Sequence, residues 1–336
     1  MPEKSKKILI IGPSWVGDMV MAQSLFMALK QQQPNCQIDV LAPAWSFPLL
    51  ERMPEVNEAI EMQLTHGQFG WSLRKSLGQS LQVKQYQQAI LLPNSWKSAL
   101  IPFFAKIPLR TGFLGEMRWG LLNDARKLDK KILTMTVQRF VALAYPNKPG
   151  SIEYSTPVLK IKQSDQQAVI KKFKVDVSNK VLALCPGAEY GPAKQWPAKH
   201  YAELAKQKIA DGWAVWIFGS AKDQVVSEQI NQLAGKTCQD FSGKTSLAEA
   251  IDLMSLTEVV VSNDSGLMHV AAALNKKLVA IYGSSDPQFT PPLNAGAQIV
   301  NLNLECAPCF KRECPLGHTN CLVNILPAQV LAKIEQ

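Results

Sequence analysis

Short apolar runs that recur between amphipathic helical stretches constrain this chain more than any other feature. Lys7-Ile8-Leu9-Ile10-Ile11 is the first run, and 38–41, 56–60 and 89–92 follow it. Helical patterns at 19–30, 72–84, 95–105 and 136–145 fill the intervals. Strands that alternate with helices build βαβ units and a mostly parallel sheet. Segment 146–157 holds Pro146, Pro149, Gly150 and Pro157 with little periodicity, and reads as a linker. The alternation then restarts, with strands expected at 181–185, 214–218, 259–262 and 278–282. Helices are expected at 198–211, 222–233, 247–256 and 266–274. The pattern predicts an α/β protein of two doubly wound domains, 1–150 and 151–336, with the last helix free to pack back on the first. Such domains bind ligands near strand carboxyl ends, so the default site is the cleft that the two domains face.

Composition narrows the class. Of 336 residues, 47% are apolar and 19% charged, enough for packed cores and too apolar for a disordered chain. The longest apolar runs, such as 267–274, fall far short of the ~20 residues of a membrane-spanning helix. Ile8–Ile11 is also shorter than the ~7–15 apolar residues of a secretory signal, so the expected location is the cytoplasm. Charge is lopsided: residues 1–150 carry 18 Lys/Arg against 10 Asp/Glu, and residues 151–336 carry 18 against 17. A basic half suits a phosphorylated substrate, a membrane surface or nucleic acid. No RNP-type or helix-turn-helix signature accompanies the charge, which leaves no nucleic-acid partner in the expectation.

Three strand-to-helix loops offer chemistry. Gly12 and Gly17 are spaced as in a P-loop, but Asp18-Met19 stand where its Lys and Ser/Thr belong. The Gly-x-Gly-x-x-Gly dinucleotide fingerprint is absent too, which weighs against a Rossmann-type oxidoreductase. What remains is a turn that places Asp18 at a helix start, as a cap or as a functional carboxylate. The second loop, Ser262-Asn263-Asp264-Ser265-Gly266-Leu267-Met268-His269, follows an apolar strand and leaves free N–H groups at a helix start, an anion site. His269 lies one turn into that helix. The third loop runs from Cys185 to Pro197 and carries Lys194. Together the last two look like a diphosphate cradle, with capped helix starts and a solvated lysine as the plainer alternatives.

Gly17-Asp18-Met19, Lys194-Gln195-Trp196-Pro197 and Ser262 to His269 resemble the ADP-heptose lipopolysaccharide heptosyltransferases, glycosyltransferase family nine, over nearly the whole chain. Pro93-Asn94-Ser95-Trp96-Lys97-Ser98-Ala99-Leu100, Arg110-Thr111-Gly112 and the stretch from Gly115 to Asp124 resemble the enzyme of the second heptose more than that of the first. The resemblance implies a GT-B fold of two Rossmann-like domains, an acceptor-binding first domain and an ADP-heptose-binding second one. It implies an inverting glycosyltransferase acting on a heptosyl-Kdo2-lipid A inner core. A heptosyltransferase for the first or third heptose remains the alternative. Asp18 would be the general base, and Lys194, Ser265, Gly266 and His269 would meet the diphosphate. Asp264 would contact the heptose or its phosphate, Asp223 the ribose, and Thr245 the adenine region. Glu189 and Tyr190 depart from the small hydroxyl residues of the family's first enzyme. No metal cofactor for transfer is implied. Lys97, Arg110 and Arg118 are expected to bind acceptor phosphates and carboxylates, with Arg126, Lys127, Lys130 and Lys131 as further candidates. Peripheral attachment to the inner face of the inner membrane follows from that acceptor.

Four of seven cysteines cluster as Cys306-x2-Cys309-x4-Cys314-x6-Cys321, with His318 among them. In a reducing compartment this spacing suggests a structural tetrahedral metal site, most simply zinc. Free thiols, disulfides and an iron–sulfur cluster remain alternatives.

Overall fold

The computed structural model describes residues 5–64, 68–146 and 152–336, so part of the expected linker, 147–151, lies outside the described residues. Two compact units part between Pro157 and Val158.

The first unit is built on six parallel strands: β1 (Lys7–Ile11), β2 (Gln37–Ala42), β3 (Glu58–Glu61), β4 (Gln88–Leu91), β5 (Leu109–Phe113) and β6 (Asp124–Arg126). Their order in the sheet is β3-β2-β1-β4-β5-β6. The second unit repeats the plan with β7 (Val181–Cys185), β8 (Ala214–Ile217), β9 (Gln239–Asp240), β10 (Val259–Asn263), β11 (Lys277–Ile281) and β12 (Gln298–Val300). Its order is β12-β11-β10-β7-β8-β9, again all parallel. Both sheets are therefore doubly wound, as expected. Each reverses direction once, between β1 and β4 and between β7 and β10. At such a point the loops leaving the two strands diverge and open a crevice beyond their carboxyl ends. The expected ligand loops leave β1, β7 and β10.

Local sequence explains the elements around those loops. β1, β7 and β10 are buried almost throughout and carry the apolar runs Ile8–Ile11, Val181–Cys185 and Val259–Val261. The helix Val16–Gln32 is buried over most of its surface, from Met19 to Leu29, and ends where Gln33 and Pro34 stop it. Gly12 keeps the exit of β1 narrow. A Cβ there would sit 2.9 Å from Met19 Cε and 3.3 Å from the Leu41 carbonyl. In the second unit, Trp196 and Tyr201 are fully buried with Leu184, Val261, Ile281 and Leu322. The last helix, Pro327–Glu335, puts Val330, Leu331 and Ile334 into that same core and so belongs to the second unit.

Four strands escape a reading by apolar runs. β6, β9 and β12 are sheet edges of two or three residues, too short for a period. β5 is interrupted by Arg110 and Gly112. The helix Gln163–Phe173 was also not foreseen; among its residues only Val169 is buried, so its apolar stripe is minimal.

Candidate functional site

The loop after β7 ends in a single 3-10 turn, Pro192–Lys194, and then enters the helix Ala198–Ala210 with Pro197 just before it. Trp196 anchors the segment. Its indole N–H donates to the Ile325 carbonyl at 2.8 Å, and its ring meets Tyr201 edge-on at 4.8 Å. Asn263, at the end of β10, ties this loop to its neighbour. Its Oδ1 accepts from the Trp196 backbone N–H (3.1 Å) and the Tyr201 hydroxyl (3.0 Å), and its Nδ2 donates to the Pro186 carbonyl at 2.6 Å. Asn263 is fully buried with these polar atoms satisfied. It sets the loop after β7 against the loop after β10. No role was assigned to it from sequence, although an Asn closing a buried apolar strand is a costly choice unless it fastens something.

That fastening brings Lys194 and Asp264 together. Lys194 Nζ lies 2.5 Å from Asp264 Oδ2, with side-chain exposures of 18% and 4%. The ammonium also stands 5.2 Å from the centre of the Tyr190 ring, which holds it by a cation–π contact. The Tyr190 hydroxyl donates to the Phe310 carbonyl. Glu189 pairs with Lys222 at 2.5 Å.

Beside the pair, Ser265 is the N-cap of the helix Gly266–Ala273. The first N–H groups of such a helix have no intrahelical acceptor, and the helix dipole favours an anion in front of them. His269 is buried on this helix. Burial holds its imidazole down to about 4; Asp264 opposes that shift and Lys194 adds to it. It is neutral near pH 7 and brings a hydrogen-bonding ring rather than a positive charge. Lys194, Asp264, Ser265, Gly266 and His269 thus gather on one side of the β7/β10 switch point.

Asp223 stands across the loop after β7. Its Oδ2 accepts from the Ser220 N–H (2.8 Å) and hydroxyl (2.7 Å), closing a capping box at the turn Ala221–Asp223. Gly187 makes room for this carboxylate, since a Cβ there would fall 2.6 Å from Asp223 Cγ. Thr245 is half-buried, its hydroxyl directed at the Phe241 carbonyl at 3.4 Å.

In the first unit, Asp18 is half-buried at the third residue of the helix after β1, and Trp15 is that helix's N-cap. Lys97 follows β4 in the 3-10 turn Trp96–Ala99, so Asp18 and Lys97 occupy the two loops of that sheet's switch point. Trp96 stacks with Phe69 and Trp71 at 6.1 and 6.4 Å, an aromatic surface that the sequence reading did not assemble.

The expected acceptor-binding arginines are placed differently. Arg118 is fully buried; its guanidinium donates to the Pro93 and Phe113 carbonyls, Ser98 Oγ and Asn94 Oδ1. It holds the loop after β4 and exposes no surface of its own. Arg110 donates to the Leu121 and Ile107 carbonyls at 2.6 Å and lies over the Phe103 ring. Arg126 binds Asp124 and the Ala142 and Tyr145 carbonyls. A guanidinium has five donors in a fixed fork, and each of these three arginines gives at least two hydrogen bonds to backbone carbonyls of its own unit. Lys127, Lys130 and Lys131 are exposed.

All seven cysteines are free thiols. Cys306, Cys309, Cys314 and Cys321 line one small cavity, of about 20 Å³, together with Ala193, Ser284 and His318. Among the described residues no three side chains of metal-ligand type stand in metal-binding geometry.

Residues 74–320 match the family model of glycosyltransferase family 9 (heptosyltransferase). The chain is 48% identical to lipopolysaccharide heptosyltransferase 2 of Salmonella typhimurium, over 98% of this chain and 97% of that protein. It is 49% identical to lipooligosaccharide heptosyltransferase 2 of Haemophilus influenzae, over 98% of each. The solved structure of the E. coli ADP-heptose LPS heptosyltransferase II superposes with a TM-score of 0.85 at 44% identity, covering 98% of this chain and 97% of that one.

Proposed function

The chain belongs to glycosyltransferase family 9 and is a glycosyltransferase of the heptosyltransferase kind; we propose that it moves heptose from ADP-heptose onto a heptosyl-Kdo2-lipid A inner core as the second heptose of lipopolysaccharide core synthesis. The observation that carries this reading is the Lys194–Asp264 pair beside an anion-ready helix start at a switch point, in a chain alike over nearly its full length to heptosyltransferase 2 proteins.

In this reading the second unit holds the donor. Lys194 and the N–H groups at Ser265 and Gly266 face the diphosphate, and neutral His269 adds a hydrogen bond. Asp264 orients Lys194 before the donor arrives and contacts the heptose afterwards. Asp223 meets the ribose, and Thr245 borders the adenine. The first unit holds the acceptor, with Lys97 toward its anionic groups and Trp96, Trp71 and Phe69 offering an apolar platform to sugar or acyl chain. Arg110 and Arg118 act by fixing the loops around that platform.

As the acceptor oxygen bonds to the anomeric carbon, Asp18 takes the hydroxyl proton. The bond from that carbon to the β-phosphate oxygen breaks, the electron pair leaves with ADP, and configuration inverts. A carboxylate is a weak base for an alcohol, so transfer of the proton comes late, once the donor sugar has become cation-like. The charge that develops on ADP meets Lys194 and the helix start, which are already in place. In this reading attachment to the inner membrane is peripheral. Among the described residues no helix is long and apolar enough to cross a membrane. Exposed Lys127, Lys130 and Lys131 supply ~1 kcal/mol each toward anionic headgroups.

The test is incubation of the protein with ADP-heptose and cores bearing no heptose or one, followed by mass analysis. Consumption of the singly heptosylated core alone is expected. Consumption of the unheptosylated core would make the protein a first-heptose enzyme, and binding of a nicotinamide cofactor would point to an oxidoreductase.

A further inference from the structure

We propose that Cys306, Cys309, Cys314 and Cys321 bind one thiophilic divalent metal ion as a tetrathiolate, which clasps the 306–321 loop against the loop that carries Lys194. Four thiols from four places in that loop line a single cavity of about 20 Å³, a space for one ion rather than for an organic ligand. The four side chains do not stand in metal-binding geometry as they are, so an ion entering the cavity would have to gather them.

A further observation points to a ligand. Ser284 also lines the cavity, 2% exposed, and its Oγ has no hydrogen-bond partner. A buried hydroxyl without a partner is costly. Thiolates drawn to a central ion would give it an acceptor. His318 is not needed as a ligand: its Nδ1 accepts the Asn320 N–H at 3.0 Å, which fastens the ring to the turn. The donor set is therefore four sulfurs, with no open position on the metal, which makes the site structural.

The loop leans on the candidate donor site. The Ala193 N–H donates to the Arg312 carbonyl at 3.0 Å, the Tyr190 hydroxyl to the Phe310 carbonyl at 2.8 Å, and the Arg312 guanidinium lies 5.4 Å from the centre of the Tyr190 ring. The consequence for Lys194 rests on the proposed function; the metal site does not. On binding, the thiols release their protons, so affinity falls as pH is lowered.

The experiment is titration of the reduced full-length protein with Co²⁺ under anaerobic conditions. The expected result is a sulfur-to-cobalt charge-transfer band with intense visible tetrahedral bands, saturating at one ion per chain and abolished by Zn²⁺. Cys314→Ser and Cys309→Ser should each lose that spectrum, and Cys36→Ser, a buried thiol elsewhere, should keep it. Metal analysis of the parent protein purified without chelators gives a second reading that no variant can confound, with one zinc or iron per chain expected. An octahedral aquo-cobalt spectrum with all four loop thiols open to a thiol reagent would overturn the proposal, as would disulfides among the four. Weaker ADP binding after metal removal is the further expectation. Cobalt binding with unchanged ADP affinity would leave the metal site standing and refute the clasp on Lys194.

Discussion

Replacing Lys194 by Met removes an ammonium while keeping most of its aliphatic volume. Two losses are expected, and they can be measured apart. Asp264 is 4% exposed and would lose its counter-ion. Removing one partner of a buried pair costs ~3–5 kcal/mol. Lys194 retains 18% exposure, which places this case near the low end, at about 3 kcal/mol. The second loss is in ADP affinity, where a charge-assisted contact contributes ~1.5–3 kcal/mol, or roughly 10- to 150-fold. Urea unfolding reports the first and calorimetric titration with ADP the second. The double variant Lys194→Met/Asp264→Asn leaves no buried charge unpaired, so most of the stability should return while ADP affinity stays low. If ADP affinity returns together with stability, the single variant only damaged the fold. If Lys194→Met binds ADP like the parent, Lys194 is not a diphosphate ligand.

Asp18→Asn should lower turnover by ~10²–10⁴-fold with ADP affinity unchanged; near-normal turnover would reduce Asp18 to a part of its helix start. His269 is held down to about 4 in the folded protein against 6.5 in its absence, so the unfolded chain binds the extra proton first as pH falls. Its contribution to stability is therefore full above pH 6.5 and is lost between 6.5 and about 4, a fall of about 2–4 kcal/mol by linkage. His269→Gln should flatten that part of the unfolding free energy against pH, and an unchanged profile would contradict the assignment. Gly187→Ala would drive a methyl against the Asp223 carboxylate, costing ~1–3 kcal/mol and weakening ADP binding. A fully stable variant would mean that the loop gives way freely.

The fold was legible because its central strands are buried on both faces, so that β1, β7 and β10 had to be apolar runs followed by turns. The edge strands β6, β9 and β12 were not, because two or three residues carry no period. At the site, the loops after β1, β7 and β10 were found through residue types that chemistry needs at strand ends. The pairing of Lys194 with Asp264 was not, since it depends on Asn263 joining loops about 70 residues apart in sequence. Sequence said least about the basic half. The charge of Arg118 and Arg110 is visible in the chain, but the carbonyls of Pro93, Phe113, Ile107 and Leu121 that accept from them become neighbours only after folding. The aromatic surface of Phe69, Trp71 and Trp96 was missed for the same reason.

The location of the diphosphate tests the central claim most directly. The chain offers two strand-to-helix loops with a claim on it: Gly12 to Asp18 after β1, with the spacing of a P-loop, and Asp264 to Gly266 after β10. A crystal structure with bound ADP decides between them. The account predicts the β-phosphate within hydrogen-bond reach of Lys194 Nζ and the Ser265 and Gly266 N–H groups, with Asp264 no longer bound to Lys194 alone. A diphosphate seated on the loop after β1, with the Lys194–Asp264 pair untouched, would contradict it.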